Sequence, residues 1–337
     1  ILDGNGNSAN LTLPAKGATN SLSANNGLVI DGVVPTVSSV TSTTADGTYK
    51  IGDEIAITVT FSEAVTVSGT PQLTLESGST DAEVNYASGS ADTTLTFNYT
   101  VASGHLSGDL DYVDGAALQL SNQSTIVDAA GNNAHLTLPS PGEANSLGAN
   151  KALVIDGVVP IVSAVTATTT NGSYKAGDVI AITVTFSEAV TVSGTPQLAL
   201  ETGSLDAVVD YTSGSGGITL TFNYTVASGE NSNDLDYVST NALVLNSGTI
   251  NDVAGNMATL TLVEPGLTNS IGASKSLIID TTAPIISSVA EGTATSTTAT
   301  DVDYQNVANT LIISWAGSDS GSGISSYEYA LGTTSGG

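Results

Sequence analysis

The chain has 337 residues, 40% of them apolar and 11% charged, and its 32 acidic residues against five lysines and no arginine give a formal net charge of -27. That apolar fraction builds cores and excludes a disordered chain. The acidic surface repels nucleic acid and anionic lipid, which are gripped through Lys and Arg, and attracts divalent cations. Cysteine is absent, and no apolar run reaches the roughly 18 residues of a membrane span, so neither disulfides nor membrane insertion is expected.

In chain order, residues 1–30 come first, and their opening ILDGNGNSANLTLP returns as IVDAAGNNAHLTLP at Ile126 and INDVAGNMATLTLV at Ile250. They read as the closing piece of a preceding module. Strand A is expected near Thr36 to Thr43, then a turn at Asp46-Gly47, then strand B across Glu54 to Phe61. There Ile55, Ile57, Val59 and Phe61 recur with period two and share one face. Ser62-Glu63-Ala64 is read as the turn ending B. Strand C covers Ala64 to Leu75 with a bend at Gly69-Thr70-Pro71, D covers Glu83 to Ala87, and E covers Thr94 to Val101. Strand F lies within Leu110 to Val127, and a hairpin turn, Asp128-Ala129-Ala130-Gly131-Asn132, follows it. G comes in two parts, about His135 to Leu138 and Ala152 to Ile155. About seven strands in about 125 residues make one β-sandwich.

The block then repeats almost word for word. DGVVPTVSSV at Asp31 returns as DGVVPIVSAV at Asp156 and, more loosely, as DTTAPIISSV at Asp280. FSEAVTVSGTPQLTLESG from Phe61 returns from Phe186 with two changes, and TLTFNYTVASG from Thr94 returns unchanged from Thr219. A period of this length marks a tandem array. The expected organisation is a fragment over 1–30, complete repeats over 31–155 and 156–279, and the first part of a different module over 280–337, with three strands. A chain opening inside a block is not expected to show a leader, whatever its destination.

The run DLDYVSTNALVLNSGTINDVAGN, together with SLGANKALVIDGVVP, resembles the bacterial Ig-like repeats of giant cell-surface adhesins and biofilm proteins. The resemblance covers about residues 1 to 280. The tail from Trp315 is similar to a second Ig-like or fibronectin-like type. The resemblance implies an all-β chain of tandem Ig-like (Greek-key) sandwiches arranged head to tail, export to the cell surface, contact with neighbouring modules of the same long chain, and calcium at the joints.

Calcium is also argued from the residues. Strand parity in a seven-strand sandwich puts the B–C and F–G turns at the end where strand A enters, so oxygen donors converge there. In the first repeat these are Asp31, Glu63 and Asp128 with Asn132; in the second, Asp156, Glu188 and Asp252 with Asn256; Asp280 opens the third linker in the same place. Calcium takes six to eight oxygens in irregular geometry, so carboxylates supplemented by an amide, carbonyls and water suffice. Asp at such a turn also bonds its own backbone, the ordinary structural use of the residue. Asp109 and Asp111, mirrored by Asp234 and Asp236, project to one strand face and read as solvated charge. Lys50 and Lys175 read as surface residues closing the A–B turn, against the Lys–Asn cross-link of some similar modules.

No enzyme is expected. His105 and His135 fall at positions held by Glu230 and Thr259 in the other copy, no cysteine nucleophile exists, and the Gly-rich stretches at 214–217 and 317–323 have no following Lys. The sequence therefore reads as a structural, adhesive stalk segment. Two alternatives stand beside it. One is a filament or surface layer, self-assembled when Leu11 to Leu13 and Gly27 to Ile30 complete the tail after Asp280 of a neighbour. The other is a carbohydrate-binding module, for which only the sandwich shape argues.

Overall fold

The computed structural model describes residues 1–121, 123–291 and 313–329. The chain is all-β and divides into two compact units, Ile1–Gly157 and Val158–Gly337. Each builds a core of its own.

In the first unit the strands are β1 (Val37–Ser42), β2 (Gly47–Lys50), β3 (Glu54–Ser68), β4 (Gln72–Glu76), β5 (Ala82–Ser88) and β6 (Asp92–Thr100). Five short ones follow: β7 (Leu106–Ser107), β8 (Asp111–Tyr112), β9 (Leu118–Gln119), β10 (Thr125–Val127) and β11 (Leu153–Asp156). The large sheet runs β1-β3-β6-β5-β4-β8, with β10 on β3 and β9 on β4; the small one runs β2-β11-β7. Pairing is antiparallel throughout except β11 with β2. The inward face is the one the period-two pattern marks: Ile55, Ile57 and Val59 of β3 and Leu95 and Phe97 of β6 are fully buried. Leu147, Leu153 and Ile155 reach the same core from the closing segment. Each such side chain contributes about 1.5–3 kcal/mol by leaving water.

Strands A, D and E lie where the alternation puts them, as β1, β5 and β6. Strands B and C do not end and restart at Ser62-Glu63-Ala64. Those residues lie inside β3, a single strand of 15 residues. The pairing of β3 with β6 jumps from Thr60↔Thr94 to Val65↔Asp92, and the far end of β3 then pairs with β10. A bulge of this kind keeps the chain extended while re-aiming its side chains, which a sequence reading mistakes for a turn. The bend beyond it is real: Gly69 has φ +74°, and a Cβ there would press on Ser124.

The stretch between the two parts of G holds a one-turn helix, Leu147–Asn150, that strand periodicity did not suggest. Ser146 caps it by accepting from the Ala149 N–H, and Asn145 has φ +72°. The corner is tied to β1 because the Val40 N–H donates to the Asn145 carbonyl and Asn150 Nδ2 donates to the Val40 carbonyl.

The second unit repeats these features with Val179–Ser193 in place of β3 and Ile271–Ser274 in place of the helix. Of the three strands expected after Asp280, two are described, Ile285–Glu291 pairing antiparallel with Ile313–Ser318. Residues 292–312 and 330–337 lie outside the described residues.

Candidate metal centre

The Asp128-to-Asn132 turn is a local structure. Asp128 Oδ1 accepts from the N–H groups of Ala130, at 2.9 Å, and Asn132, at 2.8 Å, while its Oδ2 accepts from Asn132 Nδ2 at 2.7 Å. Asp252 repeats the pattern with Gly255 and Asn256, and Asp3 with Asn5 and Asn7. Three separate runs of the chain thus fold one sequence pattern into one turn, as expected where a side chain bonds a backbone only a few residues away.

Asp31 arrives from the linker before β1 and Glu63 from the bulge of β3. Each of Asp31, Glu63 and Asp128 offers a carboxylate oxygen, and all three oxygens lie within 4.8 Å of one another. Two clamps hold the linker there. The Thr36 N–H donates to Ser62 Oγ and the Ser62 N–H returns to the Thr36 carbonyl, beside Glu63. The His135 N–H donates to the Pro35 carbonyl. Asn132 turns its amide nitrogen toward the carbonyls of Asp31 and Val33, at 3.2 and 3.3 Å, so in this orientation it positions Asp128 and the linker. Those two carbonyls are thereby tied to the Asp128 turn through Asn132. The sequence reading missed them and Ser62; the recurrence of Ser62 as Ser187, which accepts from the Ile161 N–H, was the available signal.

The electrostatics follow from three like charges without a cation. Burial and then the charges of Asp31 and Asp128 push the Glu63 carboxyl above its ordinary range. For Asp128, burial works upward, but hydrogen bonds from Asn132, Ala130 and Gly131 outweigh it and hold the group below its usual value. Lys50 and Lys151 are committed elsewhere, to Asp53 at 3.0 Å and Asp46 at 3.1 Å. Lys50 thus sits at the surface, closing the turn before β3.

The other expected ligands divide between the units. Asp156 ends β11 in the first unit. Glu188 lies inside the strand Val179–Ser193 and Asp252 in the turn of the second, where Asp252 and Asn256 are both buried. Asp280 is also buried. The Ser322 side chain and N–H, then the Thr282 N–H, hold its pKa low, and among the described residues it joins no group of three.

The reading of Asp109 and Asp111 as solvated charge needs correction for one of them. Asp111 is buried, and its carboxylate accepts from the N–H groups of Tyr112, at 2.9 Å, and Gly142, at 3.0 Å. Asp236 holds Tyr237, Gly266 and Gly272 in the same manner. The cause is tertiary, since the closing loop folds back over a strand face that would otherwise be wet. Asp109 stays exposed.

Among the described residues no helix is long and apolar enough to cross a membrane. Comparison with protein-family models finds no match, and comparison with curated proteins finds none either.

Proposed function

We propose that the chain is a non-enzymatic structural segment of a large bacterial surface adhesin, an extracellular stalk in which calcium braces the joints between successive sandwiches. The observation that carries this reading is the trio Asp31, Glu63 and Asp128, three carboxylate oxygens within 4.8 Å of one another. An all-oxygen, multiply anionic set suits a hard cation, and its irregular geometry suits calcium better than magnesium, which demands a near-ideal octahedron. One ligand comes from the linker and two from the sandwich it enters, so a bound ion would fasten the linker to the module. Extracellular calcium modules bind with dissociation constants of about 10⁻⁴ to 10⁻³ M. The net charge and the repeated blocks support the same reading, since a stalk needs length and solubility rather than a catalytic pocket.

The test is titration of the full chain with calcium by calorimetry, paired with small-angle scattering with calcium and with chelator. Millimolar-or-tighter binding, with a chain that is stiffer in calcium, is expected. Silence in calorimetry together with identical scattering curves would discard calcium bracing.

A further inference from the structure

Residues 1–30 and 126–155 are two copies of one segment in two environments. The inward residues are identical in both: Leu11 and Leu136, Leu13 and Leu138, Leu22 and Leu147, Leu28 and Leu153, Ile30 and Ile155. In the repeat four of them are core and Leu136 packs against it. Leu138 is 4% exposed and Leu147, Leu153 and Ile155 are 0%, whereas Leu13 is 85%, Leu22 69%, Leu28 67% and Ile30 95% exposed. Leu13, Leu22, Leu28 and Ile30 line one concavity of about 670 Å³. Contiguous exposed apolar surface of this kind marks an interaction site.

The segment keeps its local shape without a partner. Ser21 caps the turn Leu22–Asn25 through the Ala24 N–H as Ser146 caps its own, Asn20 has φ +71° against +72° at Asn145, and the Asp3 turn matches the Asp128 turn. Its main chain therefore presents the groups that the repeat uses. There the Asn145 carbonyl accepts from the Val40 N–H, the Ala152 carbonyl from Gly47 and the Leu153 carbonyl from Leu110, while Asn150 Nδ2 donates to the Val40 carbonyl. The equivalent positions are Asn20, Gly27, Leu28 and Asn25.

We propose that residues 1–30 are a docking surface for the front portion of a further repeat, a polypeptide of the type of residues 36–125, which they close into a sandwich. The occupant is chosen by the repeat itself: the same side chains and backbone groups already bury against that partner 125 residues along the chain. Strand addition supplies the main-chain bonds, and the leucine and isoleucine pockets supply the selectivity. The inference is independent of calcium.

The experiment fuses a copy of residues 32–125 ahead of Ile1 in the full chain, so that Thr125 meets Ile1 as it meets Ile126, and follows hydrogen exchange by mass spectrometry. Amides of 20–30 are expected to slow to the rates of 145–155 in the same molecule, and to lose that protection in Leu22→Asp/Ile30→Asp while 145–155 keep theirs. A control fusion carries the sequence of 126–155 in place of 1–30. If the control is protected and the 1–30 fusion exchanges freely, or if protection survives Leu22→Asp/Ile30→Asp, the proposal is wrong. If neither fusion is protected, the unfused 32–125 polypeptide, co-expressed with the full chain, decides by native mass: a one-to-one complex abolished by Leu22→Asp/Ile30→Asp is expected, and no complex refutes it.

Discussion

Leu153 and Leu28 stand in the same Leu-Val-Ile run of the same repeated segment, and truncating each tests whether burial, rather than sequence, sets their worth. Leu153 lies in β11 between β2 and β7 and is fully buried; Leu28 is 67% exposed. Leu153→Ala removes packed carbons from a core that relaxes only partly, at a cost of about 3 kcal/mol within a range of about 2–5. For a cooperative unit of about 125 residues, near 4 °C per kcal/mol, the first unit should melt roughly 12 °C lower. Leu28→Ala removes no buried contact and should stay within about 0.5 kcal/mol. Calorimetry of the full chain provides the assay, with Leu277→Ala, equally buried in the second unit, as the internal comparison. Urea titration should show a shifted midpoint at unchanged slope. Equal losses for Leu28→Ala and Leu153→Ala, or a Leu153→Ala cost below about 1 kcal/mol, would refute the assignment of the closing segment to the core.

Glu63→Gln should change sign with the ion. Its raised pKa means the folded, metal-free protein pays for the ionised form once the pH exceeds the folded value, so at neutral pH in chelator the variant should melt higher than the parent; in calcium, having lost a ligand, it should melt lower. A variant that melts lower in both conditions contradicts the cluster electrostatics. On acidification, calcium affinity should begin to fall above 4.5, the ordinary glutamate value, because Glu63 takes its proton early. The stability from Asp128, whose folded pKa is depressed, is present above 3.8 and lost only below it. Calorimetric titrations and melts across pH 3 to 7 check that order, and loss of both together would oppose it. Asp111→Ala should cost about 1–3 kcal/mol by stranding the N–H groups of Tyr112 and Gly142, measured by urea unfolding; a neutral outcome would return Asp111 to the solvated surface. Gly89→Ala, at φ +108° with its Cβ driven into the Thr94 carbonyl, should cost about 1–3 kcal/mol in the same assay, and its tolerance would mean the β5–β6 turn relaxes easily.

Most of what depends on neighbours in the chain was legible in the sequence, the capped turn at Leu147–Asn150 being the local feature that strand periodicity missed. Period-two alternation in EIAITVTF and TLTFNYTV fixes which face of β3 and β6 is buried, because successive side chains of a strand point to opposite sides. The turn at Asp128 could be read from five residues, since its hydrogen bonds span no more than four, and it recurs at Asp3 and Asp252. The carboxylates were legible as a set because the block carrying them occurs twice. Only the tertiary structure decided the rest. It placed Glu63 in a bulge inside one long strand, which depends on the registers that β6 and β10 impose on β3. It brought Asp31, Glu63 and Asp128 together through the clamps at Thr36, Ser62 and His135. It buried Asp111 beneath a loop that arrives from Gly142. Leu28 and Leu153 state the reason most simply: they share the same Leu-Val-Ile run, but burial is a property of what lies across the core, and among the described residues Leu153 lies between partner strands while Leu28 is exposed.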